Sequence, residues 1–97
     1  MAIVRVEKEL EELIPGFLKN KRKDLDNIHT ALQANDFKEL KRLGHKVSGS
    51  AGGYGFEVFG ELANKLETLA ASGRKTELEK IYKEMVNHLE NVEIVFE

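Results

Sequence analysis

Apolar side chains recur along the chain at steps of three and four residues, broken where residues that end helices gather. Ile3, Val6, Leu10, Leu13 and Ile14 follow that step and predict a short amphipathic helix. Pro15-Gly16 closes it, because proline disfavours helical geometry at Ile14 while suiting the first turn of a new helix. A second helix carries Leu18, Leu25, Ile28 and Leu32. Asp36 and Glu39 then have the form of a capping box opening a third helix, whose inward stripe is Phe37, Leu40, Gly44, Val47 and Ala51. The run Gly52-Gly53-Tyr54-Gly55 ends that helix. A fourth helix uses Phe59, Leu62, Ala63, Leu66, Leu69 and Ala70 and stops at Ser72-Gly73. A second capping box, Thr76 with Glu79, opens the last helix, which places Leu78, Ile81, Tyr82, Met85, Leu89, Val92 and Phe96 on one face.

Nothing alternates with period two over a useful length, so no strand is predicted. The expected fold class is all-α: an antiparallel four-helix bundle with a short additional N-terminal helix, as a single domain over residues 1–97. Ninety-seven residues suit one small core. The formal net charge of −2, with 33% charged residues of mixed sign, provides no broad basic field for nucleic acid or an anionic membrane. "KNKRK" at residues 19–23 reads as the solvated face of an amphipathic helix. The chain has no cysteine, no apolar run near membrane-span length and no secretory leader pattern at its start, which fits a soluble cytoplasmic protein.

Candidate chemistry concentrates in Leu43 to Phe56, "LGHKVSGSAGGYGF", with five glycines in fourteen residues around one histidine. Glycine inside a helix costs roughly 1 kcal/mol relative to alanine, so its density here requires a reason. At about 100° per residue, His45 falls well off the inward stripe. Its helical neighbours include Lys41 on one side and Ser48 and Gly49 on the other, with Lys38 and Gly52 two turns away. Small neighbours let another macromolecule approach an exposed imidazole, and imidazole, which ordinarily titrates near 6.5, forms covalent intermediates. Gly44, on the inward stripe, reads instead as a close-packing position, and so does Gly60. The glycine run lacks the Gly-Lys-Ser/Thr ending of a phosphate-binding loop. Asp26 with His29 has one carboxylate–histidine spacing, but no second set completes a bundle metal site, so His29 and His88 are expected at core edges with ordinary hydrogen bonds.

The segment "GHKVSGSAGGYGF" followed by "ELANKLE" resembles the histidine phosphotransfer (HPt) domain of two-component phosphorelays. That resemblance implies a phosphocarrier in which His45 accepts a phosphoryl group and passes it on. The partners implied are a response-regulator receiver domain, a hybrid sensor histidine kinase, or both, with no nucleic acid and no membrane. The carrier would be a monomer with no cofactor of its own, Mg²⁺ being supplied by the receiver. Gly49 and Gly52 correspond to the surface that admits a receiver, with Lys38 and Lys46 as further contacts. Asn64 and Glu67 match positions where the family places polar groups near the imidazole. Ser48 stands where the family usually has a lysine, so Lys41, one turn before His45, or Lys46 is expected to supply the missing charge. The alternative is a degenerate relative that binds a receiver or another signalling protein without chemistry.

Overall fold

The computed structural model describes residues 2–97. Strand β1 (Ile3–Val6) and a 3₁₀ helix (Lys8–Leu13) precede α1 (Ile14–Gln33), α2 (Phe37–Ala51), a short 3₁₀ turn (Gly52–Tyr54), α3 (Glu57–Ala71), α4 (Lys75–Asn91) and strand β2 (Glu93–Phe96). Each α-helix packs on its neighbour in sequence and α1 also packs on α4, which closes the predicted four-helix bundle. The core joins Ile28, Leu40, Leu43, Val47, Phe56, Phe59, Leu66, Leu78 and Met85, all under 2% exposed.

The N-terminal helix expected over residues 3–14 does not form. Residues 3–6 pair in parallel with residues 93–96 in a two-stranded ladder, Val4 beside Ile94 and Val6 beside Phe96. Val4 and Val6 are buried while Ile3 and Arg5 are exposed. This is a period-two pattern, in β-branched residues that favour extended backbone, but at four residues it is too short to separate from a helical step. The same pairing takes Phe96 off the face of the last helix, which ends at Asn91. The break at Pro15 is present as a change from 3₁₀ to α geometry, with the proline in the first turn of α1.

Of the two capping boxes expected from sequence, one forms in part and the other does not form. The Asp36 side chain caps α2 by accepting from the Glu39 backbone N–H at 3.1 Å. Glu39 does not reach back in a reciprocal box; its carboxylate takes the Arg42 guanidinium instead, and that contact holds the Glu39 carboxyl below the usual range. Helix α4 starts at Lys75, two residues earlier than a Thr76 cap allows, with Arg74 at the cap position and no side-chain cap bond. Lys75 instead donates to the Leu32 carbonyl and to Asn35 Oδ1, tying the start of α4 to the end of α1.

Helix α1 buries Leu25, Ile28 and Leu32 as expected, with Leu18 packed at the edge, and its buried face is wider than that stripe. Ile14, Phe17, Lys21, Asp24, Ile28 and Ala31 form one stripe at three- and four-residue steps, and all are buried. Lys21, only 5% exposed, belongs to the core side rather than to the solvated face expected of "KNKRK", whereas Lys19, Asn20, Arg22 and Lys23 are exposed. Its ammonium reaches Asp24 Oδ2 at 3.0 Å and Ser50 Oγ at 2.8 Å, and lies 5.5 Å from the centre of the Phe17 ring. A buried charge is tolerated because it is paired and hydrogen-bonded.

Candidate functional site

Gly44 sets the geometry of the site. A Cβ on it would lie 2.8 Å from the Ala63 carbonyl oxygen and 2.9 Å from the Glu67 nitrogen, both fixed backbone atoms. Only glycine lets α2 approach α3 this closely, as the sequence pattern predicts for this position. Gly60 differs: a Cβ there would meet Ala51 Cβ at 3.5 Å, an ordinary contact. Close approach at Gly44 brings the next residue, His45, alongside Glu67 on α3. Their side chains meet with Nδ1 3.2 Å from Glu67 Oε2, the imidazole 78% exposed and the carboxylate 23% exposed.

His45 stands at the edge of an open concavity of ≈ 680 Å³ between α2 and α3. Ser48, Gly52 and Gly60 form its floor with His45, while Glu57, Glu61, Asn64 and Glu67 form a wall along α3. Those four wall residues follow the three- and four-residue steps of a single helix face. Glu57 and Glu61 were not identified from sequence, although the i, i+4 spacing that carries them toward Asn64 is legible in it. Gly52 leaves the floor bare, and on the surface around it Gly49 and Gly53 do the same: a Cβ on any of the three would touch no described atom within 4 Å. These glycines answer no packing need inside the protein.

The polar residues expected around His45 divide. Glu67 and Asn64 are on the concavity, and Lys38 and Lys41 are exposed on α2. The Ser48 hydroxyl donates to the His45 backbone carbonyl at 3.0 Å, so it turns back onto its own helix. Lys46 is drawn to the α1 side, its ammonium 3.0 Å from Asp24 Oδ1. Arg42 precedes His45 by three residues, a helical neighbour that the sequence reading passed over for Lys41. Its guanidinium makes a two-point contact with Glu39, Nη2 to Oε2 at 2.8 Å.

The other histidines are remote from this groove. His29 stacks on Tyr82 with ring centroids 5.4 Å apart. His88 stacks on Phe59, and its buried Nε2 has no hydrogen-bond partner among the described residues, contrary to the ordinary bonding expected of it. Burial pushes its pKa down.

An exposed histidine on one bundle helix, beside a carboxylate from the next and among bare glycines, is the arrangement anticipated from the resemblance to histidine phosphotransfer domains. The Hpt domain family model matches residues 12–93, and the chain belongs to that family. Among solved structures, the chain is similar to the crystal structure of histidine-containing phosphotransfer protein B (HptB) from Pseudomonas aeruginosa PAO1. The two are 23% identical, the match covers 80% of this chain and 68% of that one, and the TM-score is 0.77, a likeness of fold. No curated protein sequence matches significantly. Most of the β1–β2 ladder lies outside the residues matched by the family model.

Proposed function

We propose that this chain relays a phosphoryl group through His45, taking it from, or giving it to, the aspartate of a response-regulator receiver domain or a hybrid sensor kinase. The observation that carries this reading is the His45–Glu67 pair at the mouth of an open, glycine-floored groove. With Nδ1 directed at the carboxylate, the lone pair of Nε2 is the nucleophile. Nε2 attacks phosphorus, the Nε2–P bond forms, and the P–O bond of the aspartyl phosphate breaks with its electron pair leaving on the aspartate carboxylate. The Nδ1 proton stays on the ring, which becomes an imidazolium next to Glu67. A carboxylate 3.2 Å away stabilises that positive charge, and stabilises the charge-developing transition state with it.

The remaining site residues have supporting parts. Asn64 is available to hydrogen-bond the ring or the phosphoryl group, and Gly49 and Gly52 leave room for the receiver's loops. Lys38 and Lys41 supply positive charge near the incoming phosphate. Mg²⁺ belongs to the receiver's acidic pocket rather than to this chain. None of the described helices is long and apolar enough to cross a membrane, which suits a partner met in the cytoplasm.

The test is incubation with phosphorylated receiver domains. Transfer gives acid-labile, alkali-stable label on this chain that is absent from His45→Gln. Ser48 favours a second reading, a module that binds receivers without chemistry, since its hydroxyl is turned to the backbone and brings no charge. Receiver binding without label would establish that alternative.

A further inference from the structure

The pair Lys21–Asp24 and the adjacent Lys46 form a cluster that the relay chemistry above leaves unused. Asp24 is 3% exposed and accepts from a different ammonium on each oxygen, Lys21 on Oδ2 and Lys46 on Oδ1, both at 3.0 Å. Lys21 is itself buried and donates further to Ser50 Oγ, so Lys21 and Asp24 make a complete pair whose charges cancel. Lys46 is the surplus cation, with a side chain 56% exposed, and the cluster carries a net charge of about +1 with all three groups ionised.

That surplus charge sits one residue from His45, in a chain whose Ser48 is a serine turned to backbone. The candidate replacements differ in how they are held. Arg42 is engaged at two points by Glu39. Lys41 is exposed and must be ordered from solution, at the cost of side-chain freedom. Lys46 is already ordered, and releasing it leaves Asp24 paired with Lys21. The route is also open: Gly49 lies one turn beyond both His45 and Lys46, and has no side chain to stand between them.

We propose that Lys46 is a stowed phosphate-binding cation, held on the Lys21–Asp24 pair in the resting protein and transferred to the phosphoryl group once His45 carries it. The proposal rests on His45 being the phosphorylated residue. Attachment of phosphate places a dianion on the exposed face of α2. The four-carbon stem of Lys46 then swings its ammonium roughly a quarter-turn around the helix, from Asp24 toward the phosphoryl oxygens. Glu57, Glu61 and Glu67 on α3 line the groove and oppose the dianion with like charge, while Lys41 and Arg42 on α2 bring opposite charge. A further cation from the α1 side offsets the acidic wall. Asp24 is thus a positioning residue and Lys46 a phosphate ligand.

Phosphoramidate, a small donor that needs no receiver, supplies the test. His45 Nε2 attacks its phosphorus, the donor P–N bond breaks and ammonia leaves with the electron pair. The product is followed by ³¹P NMR as pH is varied. A cation on the phosphoryl oxygens favours the dianion, so Lys46→Gln should raise the proton affinity of the phosphoryl group by roughly three- to tenfold, and Lys46→Arg should restore most of the wild-type titration. Lys41→Gln should move it less. A thermal melt of Lys46→Gln close to wild type shows that the fold is intact, since Lys21 still holds Asp24. A Lys46→Gln titration superimposable on wild type would overturn the proposal, as would a larger shift in Lys41→Gln. Absence of any label on His45 would overturn the relay reading itself, a different outcome from labelled protein indifferent to Lys46.

Discussion

At the scale of single residues, glycines in one short stretch do opposite jobs. Gly44 is required by backbone atoms of α3, whereas Gly49 meets nothing within 4 Å. Replacing an exposed helical glycine by alanine ordinarily stabilises, so Gly49→Ala should raise unfolding free energy by about 0.5–1 kcal/mol in a urea titration. The same variant should transfer more slowly from a receiver while reacting normally with phosphoramidate, because only the larger donor needs the cleared floor. In the proposed relay Glu67 would act through the imidazole, which its carboxylate contacts, rather than on the phosphate. Glu67→Gln keeps the shape and removes the charge that steadies the imidazolium, and should slow labelling of His45 by roughly tenfold with either donor. An effect confined to the receiver would instead make Glu67 a docking residue.

Between elements, contacts across α2 decide how His45 is presented. On one side α3 closes against Gly44; on the other, α1 is joined to α2 through Lys21, Asp24, Lys46 and Ser50. Gly44→Ala gains roughly 1 kcal/mol of helix propensity but forces α3 away from fixed backbone, and overpacking typically costs 1–3 kcal/mol. The expected net effect is a loss of about 1 kcal/mol in chemical denaturation, together with slower His45 labelling as Glu67 moves off. Asp24→Asn removes the negative partner of a buried lysine, a change that ordinarily costs about 3–5 kcal/mol, and should lower the melting temperature sharply. Lys46→Gln, which removes a half-exposed partner, should cost under about 1 kcal/mol. Nearly equal losses from the two variants would mean that Lys46, not Lys21, neutralises Asp24.

At the scale of the whole molecule, stability should depend on pH through a residue away from the His45 groove. Burial lowers the folded-state pKa of His88, whose Nε2 lacks a partner beside Phe59. Between its lowered folded value and the ordinary value near 6.5, the unfolded chain binds more protons than the folded one, so stability rises with pH there. This contribution is fully present above about pH 6.5 and is lost as pH falls through and below it. His88→Gln should flatten the melting temperature between roughly pH 5 and 7 relative to wild type; an unchanged slope would assign the dependence to other groups. The sequence by itself determined the four bundle helices, most of their ends and the exposure of His45, because these depend on local periodicity and on residues that cap or break helices. It also marked Gly44 as an inward position, since that follows from the helical wheel. The tertiary structure decided what distant residues do for one another. Residues 3–6 become a strand because residues 93–96 lie beside them, and a four-residue segment has too little periodicity of its own to specify that. Lys21 and Asp24 enter the core because each satisfies the other's charge, with Ser50 completing Lys21 and Lys46 completing Asp24, whereas a charge run read in sequence has only solvent for a partner. The Lys46 ammonium lies beside α1 rather than His45 for the same reason: the carboxylate that holds it is twenty-two residues away along the chain.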